Sequence, residues 1–266
     1  MPTEMTTSKD GTTIAFERVG SGPPVILVDG ALCYRGSGPS GGLAGQLTEH
    51  FTVFTYDRRG RGESGDTQPY AVEREIEDID ALIEEAGGSA RVCGISSGAV
   101  LALDAAAAGL SIEKLALYEA PFIVDDSRPP QAEDYVPQLN GFLASGKRGD
   151  AVRSFMREVG LPRILVTLMR FMPAWGKLKA IAHTLPYDAA CMGDTQRGKP
   201  LPTDRWATAA VPTLALVGGK SPEWMQHGMR ELDELLPNSE LRSLEGQTHM
   251  VKAKVLGPAL NDYLAA

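Results

Sequence analysis

Ala90-Arg91-Val92-Cys93-Gly94-Ile95-Ser96-Ser97-Gly98-Ala99-Val100-Leu101 decides the fold. Ala90 to Ile95 is a short apolar run of the kind found in a strand buried on both faces, with Cys93 read as packing. From Ser97 to Ala108 alanine and leucine dominate, and the pattern predicts a helix. Ser96 stands between the two in Gly94-Ile95-Ser96-Ser97-Gly98. A Gly-x-Ser-x-Gly string is common by chance; a strand entering it and a helix leaving it make it specific. That setting holds the serine on a strained turn with its hydroxyl above the sheet. Glycine at 94 and 98 lets the helix fold back tightly against the strand. The free N–H groups of the helix start, Ser97 first, then point at any oxyanion that forms. The competing reading is a serine that caps an inert strand–helix turn.

Strand and helix alternate on both sides of this stretch. Thr12 to Val19, Pro24 to Val28 and Thr52 to Tyr56 read as strands. Val72, Ile76, Ile79, Leu82 and Ile83 fall at helical spacing among acidic residues, with Gly87 as the stop. Lys114 to Tyr118 is a further strand. This order predicts an α/β fold, a doubly wound and mostly parallel sheet. The next apolar strand, Pro212 to Val217, comes only after an interval far longer than one crossover helix needs, and the interval reads as an inserted helical cap. The expected organisation is a core over 1–121, a cap over 122–210 and the rest of the core over 211–266. A helix around Met225 to Leu236, a strand near Glu240 to Leu244, a loop with His249 and a helix from Val255 to Leu264 complete it.

Composition narrows the function. The 266 residues are 43% hydrophobic and 23% charged, ordinary for a globule with a sizeable core. A net charge of −8 opposes a polyanionic partner, so no nucleic acid is expected. Arg58, Arg59 and Arg61, the one short basic run, read as a local turn. No apolar run is long enough to span a membrane and no leader pattern opens the chain, so neither membrane nor secretion is expected. The three cysteines, Cys33, Cys93 and Cys191, have no metal-ligand spacing; they read as reduced thiols in a cytoplasm, with no metal or cofactor. Nothing here sets the oligomeric state, and a homo-oligomer stays open.

A serine hydroxyl needs a base to take its proton. His249, in Glu245-Gly246-Gln247-Thr248-His249 after the last strand, is placed for that. His50 precedes a strand and His227 falls on a surface helix; His183, in the cap, has the reach to bind substrate.

With Val28-Asp29-Gly30 after one strand, Tyr56-Asp57-Arg58-Arg59-Gly60-Arg61-Gly62-Glu63-Ser64 after the next, the Ser96 turn and the terminal histidine loop, the chain resembles the α/β-hydrolases over nearly its full length. The resemblance implies a Ser–acid–His triad with Ser96 and His249. Its usual acid position, after the strand before the last, holds Ser221 in Gly218-Gly219-Lys220-Ser221. An alternative position in the family, the end of the strand after the serine helix, holds Glu119. A carboxylate at a buried strand end is costly unless paired, and orienting a histidine would supply the partner. Asp125 and Asp126 compete from the following loop; Glu223 reads as an early-helix charge. Asp29 stands where many relatives carry histidine. Its side chain is expected to bond loop amides, while the backbone at Gly30 or Ala31 joins Ser97 in the oxyanion hole.

These departures together are similar to those of the zearalenone-type lactonases, through Val28-Asp29-Gly30, Gly94-Ile95-Ser96-Ser97-Gly98-Ala99, Glu119 with Pro121, and Ser221-Pro222. Pro173-Ala174-Trp175 is similar to the segment through which those enzymes touch substrate, which implies a substrate role for Trp175; packing is the plainer reading of Trp175 and of Trp206. The expectation is a serine hydrolase for an ester, above all a bulky apolar lactone, acting through an acyl-enzyme. The alternatives are a C–C bond hydrolase or cyclase on the same scaffold, and a non-catalytic small-molecule receptor.

Overall fold

A computed structural model describes residues 2–266. Its strands are β1 (Glu4–Thr7), β2 (Thr13–Gly20), β3 (Pro24–Val28), β4 (Thr52–Tyr56), β5 (Ala90–Ile95), β6 (Ile112–Tyr118), β7 (Thr213–Gly218) and β8 (Ser239–Leu244). They form one sheet in the order 1-2-4-3-5-6-7-8. The pairs β1–β2 and β2–β4 are antiparallel; all others are parallel. The doubly wound α/β-hydrolase sheet expected from the sequence is therefore the fold.

Burial on both faces follows from the side-chain alternation of a strand. Ile26, Val28 and Val92 point into one apolar layer with Leu82 of α2 (Val72–Glu85), Leu103 of α3 (Ser97–Ala107) and Met229 of the helix after β7. Val25, Leu27 and Cys93 point into the other layer, with Leu43 and Leu47 of α1 (Pro39–Leu47) and Leu260 of the last helix. Helix α1 has no periodicity that would announce it. It contains Gly41, Gly42 and Gly45, which disfavour a helix by roughly 1 kcal/mol each relative to alanine. Tertiary packing overrides that cost: a Cβ on Gly257 of the last helix would collide with the Gln46 side chain, so the two helices are in close contact.

Between β6 and β7 lie α4 (Tyr135–Ala144), α5 (Arg148–Glu158), α6 (Arg163–Leu168), α7 (Trp175–Ile181) and α8 (Leu185–Met192). Helix α6 is short, because it passes into a 3-10 turn at Met169–Phe171 before Pro173. Leu139, Val152, Ile181 and Leu185 form a small core of their own with Leu32 of the sheet region. Ile164 and Phe171 remain more than 70% exposed. Helices α9 (Glu223–Leu235) and α10 (Ala253–Ala265) complete the chain. The carboxyl ends of β3, β5, β6 and β7 and the loop after β8 gather at one edge of the sheet beneath the inserted helices. Open parallel sheets place ligand sites at that edge.

Candidate active site

Ser96 follows the last residue of β5 at φ 59° and ψ −129°, an unfavourable region for a side chain. Two close approaches force it. A Cβ on Gly98 would collide with the Val28 carbonyl oxygen, and one on Gly94 would collide with the Gly98 carbonyl oxygen. Glycine alone allows α3 to start this close to β3 and β5. The Ser96 N–H donates to the Tyr118 carbonyl (2.9 Å), which fixes the turn against β6. Leu32 and Glu119 are the other non-glycine residues at positive φ among the described residues, at 57° and 47°. All three follow central strands at the same edge, so local strain collects there.

Glu119 is fully buried one residue beyond β6. Its Oε2 lies 2.9 Å from His249 Nδ1. Its Oε1 accepts from the Gly218 N–H (2.6 Å) and from the Ser221 hydroxyl (2.5 Å). At the position where related folds carry an acid, Ser221 thus donates to an acid reached from the neighbouring strand. The histidine loop is held by the Tyr118 hydroxyl on the Thr248 carbonyl (2.8 Å) and by the Lys220 N–H on the Gln247 carbonyl (2.8 Å).

Ser96 and His249 face one cavity of about 170 Å³. No hydrogen bond joins them among the described residues, the looser spacing common to unliganded sites. Ala31 and Ser97 line the same cavity. Gly30 lies behind Ser96, where a Cβ would come within 2.9 Å of the serine Cβ. The rest of the wall is mostly apolar, including Phe155, Met192, Trp224 and Met225, with Arg128 stacked 4.4 Å from the Trp224 ring centre. A serine, an imidazole backed by a buried carboxylate and two amide-bearing residues therefore surround one apolar space.

Other expected residues lie elsewhere. Trp175 packs beside Gly149 and Arg153 in the cap and is not among the residues lining the cavity. His183 Nδ1 donates to the Ala180 carbonyl and its Nε2 stands 3.5 Å from Asp66, also off the cavity wall. Trp206 packs in the core and donates to Asp104. Asp125 pairs with His227 rather than His249. Asp29 is buried with one carboxylate oxygen towards Gly38 at the start of α1 and the other without a hydrogen-bond partner among the described residues. Loop amides therefore satisfy at most half of it. Burial raises its pKa from 3.8 to about 6, against the pull of Ser40, Arg61 and Arg58.

The run Arg58, Arg59 and Arg61 lies in a turn after β4, as read from the sequence, but its charge is not on the surface: each side chain is at most 1% exposed. Arg59 is paired with Asp78 and Asp10, Arg58 with Glu75 and Asp188, and Arg61 with Asp188. Their partners lie 17 to 130 residues away, so no local pattern could announce them. Burial alone would raise the Asp188 pKa, but Arg61 and Arg58 hold it below the usual carboxylate range.

Among the described residues, no helix is long and apolar enough to cross a membrane. The chain is 53% identical to an alpha/beta hydrolase from Sphaerobacter thermophilus whose crystal structure superposes with a TM-score of 0.90, covering 98% of this chain and 100% of that one. An uncharacterized hydrolase, YraK, from Bacillus subtilis is 37% identical over 101 residues, a stretch of 35% of either chain. The enol-lactonase from Burkholderia xenovorans shares the fold at 19% identity, with a TM-score of 0.73 over 99% of this chain and 100% of that one. The profile of the alpha/beta hydrolase family matches residues 21–251. With the sheet order, the strained serine turn and this match over most of its length, the chain belongs to the alpha/beta hydrolase family.

Proposed function

We propose that the protein is a serine hydrolase of carboxylic esters, lactones included, acting through Ser96, His249 and Glu119. The observation that carries this reading is the 2.9 Å contact of His249 Nδ1 with Glu119 Oε2, made at the wall of the cavity that Ser96 also faces. With the carboxylate on Nδ1, the imidazole keeps its proton there and turns Nε2 towards the serine. His249 takes the Ser96 proton as Oγ attacks the ester carbonyl carbon. The N–H groups of Ser97 and Ala31 receive the oxyanion. The C–O bond then breaks, the alcohol oxygen takes the proton from His249, and an acyl-serine remains. In a lactone that alcohol stays tethered to the acyl group. Water, deprotonated by the same imidazole, releases the acid and restores the serine.

Size refines the substrate. Clefts for drug-sized ligands typically enclose roughly 300–1,000 Å³. The cavity here is about 170 Å³. A compact apolar ester or lactone fits that space, whereas a macrocyclic lactone of zearalenone type needs the cap to move outward. Trp175, being off the wall, lends that macrocycle no support; the enol-lactonase shows only that the fold hosts lactone opening. Asp29 is not part of the wall either.

Ser96→Ala is expected to lower turnover of p-nitrophenyl butyrate by about 10³-fold or more and to abolish labelling by a fluorophosphonate. A variant that keeps either property would sink the assignment of the nucleophile. A panel of acyl chain lengths and lactone ring sizes then locates the substrate: kcat/KM should peak at short to medium acyl groups.

A further inference from the structure

Arg58, Arg61 and Asp188 take no part in the acyl transfer above, yet they touch both sides of the space where the oxyanion would sit. Arg61 Nη1 donates to the Gly30 carbonyl (2.6 Å) and the Cys33 carbonyl (3.3 Å). Arg58 Nη1 donates to the Asp29 carbonyl (3.2 Å). Both guanidinium groups converge on Asp188 of the cap helix α8: Arg58 on Oδ1 and Arg61 on Oδ2, each at 2.8 Å. The Ser97 hydroxyl also donates to Asp188 Oδ1 (2.8 Å).

The Gly30 carbonyl and the Ala31 N–H belong to one trans peptide and point in opposite directions. Holding that carbonyl on Arg61 fixes where the Ala31 N–H points. The next residue, Leu32, sits at φ 57°, so the loop is held in a conformation its side chains disfavour. On the other side, Ser97 carries the second donor, and its hydroxyl is tied to the same carboxylate. We propose that Asp188 is a positioning residue for the oxyanion hole, setting the Ala31 amide through Arg61 and the Ser97 amide through its hydroxyl; this rests on the ester-hydrolase reading. A purely structural ion pair could dock the cap without touching these two residues. Replacing such buried pairs by apolar groups is often neutral or stabilising, so docking alone gives little reason for this arrangement. Because Asp188 is borne by the cap, an outward movement of α8 loosens the hole, and turnover depends on the cap being seated.

The test compares wild type, Asp188→Asn, Arg61→Lys and Ser97→Ala on p-nitrophenyl butyrate, with melting temperatures and inhibition by a phenylboronic acid, whose serine adduct presents a tetrahedral oxygen to the hole. Removing one oxyanion donor outright costs about 10²–10³ in kcat, so misaligning donors in Asp188→Asn should cost about 10–100-fold. KM should stay within about twofold and the boronate Ki should weaken by the same factor as kcat/KM falls. Ser97→Ala, which loses one buried bond to a carboxylate, should lose about 3–10-fold in kcat and a few degrees in melting temperature while remaining folded. If Asp188→Asn does not fold, Arg61→Lys and Ser97→Ala decide. Folded variants with wild-type kcat, or with a kcat loss unmatched in boronate Ki, overturn the proposal. A wild-type protein inert to fluorophosphonate takes down the hydrolase reading as well, whereas a labelled wild type with unaffected variants removes this proposal alone.

Discussion

Glu119–His249 and Asp125–His227 are the same chemical pair in two settings. In each, a carboxylate oxygen meets the imidazole Nδ1, at 2.9 and 2.5 Å. Around His227 both ring nitrogens face acid, since Glu223 lies 3.6 Å from Nε2, and Asp125 is 37% exposed. An imidazole with a carboxylate at each nitrogen has no free nitrogen turned towards a nucleophile. Glu119 is fully buried, its second oxygen is taken by Gly218 and Ser221, and His249 faces the cavity of Ser96. In the proposed triad the acid is one-sided and rigid, and the other imidazole nitrogen is open to the nucleophile. Contact with an acid is not enough.

Exchanging the acids one at a time is the sharpest way to break this comparison. Glu119→Gln removes the charge that orients His249, and kcat on p-nitrophenyl butyrate should fall by about 10³–10⁴-fold, as it does when a triad acid is neutralised. Asp125→Asn should leave kcat within about threefold, because it touches neither the serine nor its base. The reverse order of losses would transfer the role of acid to Asp125. Gly218→Ala tests the rigidity of the good pair. A Cβ there would lie 2.5 Å from the Gln247 carbonyl oxygen and 2.8 Å from the Ser221 hydroxyl, so the His249 loop must shift. Displacement of a catalytic group by about 1 Å costs about 10²-fold, and stopped-flow acylation rates should show a loss of that order.

Asp29 extends the comparison to a second buried carboxylate, one with no histidine. Its pKa in the folded protein, about 6, lies above its ordinary value of 3.8, so ionising it opposes folding. The penalty is absent below pH 4, grows from about 4 to 6 and is complete above 6, where a shift of this size corresponds to about 3 kcal/mol at most. Asp29→Asn should therefore gain melting temperature relative to wild type at pH 8 and lose that advantage at pH 4. An equal difference at both values would show that the carboxyl is not the cause.

Much of this was legible locally. The strand into Ser96 and the helix out of it, Gly94 and Gly98, and His249 after the last strand all follow from short-range pattern. The cap appeared as an interval too long for one crossover, though α1 did not appear, because its glycines hide a helix that packing against α10 and the sheet stabilises. Trp175 was drawn to substrate by a three-residue likeness, and its place in the fold is packing beside Arg153. Arg58 and Arg61 read as a local turn, and they lie in one, but their burial and their pairing with Glu75 and Asp188 join residues 17 to 130 positions apart and leave no local signal.

By itself, the sequence determined the alternation of strand and helix, the doubly wound sheet and the serine turn, since each depends on side-chain period and backbone sterics over a few residues. Only the tertiary structure decided which acid meets His249, that Ser221 supports that acid, and that Asp188 reaches Arg58, Arg61 and Ser97. Those are encounters between residues 91 to 130 positions apart, with the 2.5–2.9 Å contacts made possible by neighbouring parallel strands and a folded-back cap. Chain separation carries no direction, and hydrogen bonds require one.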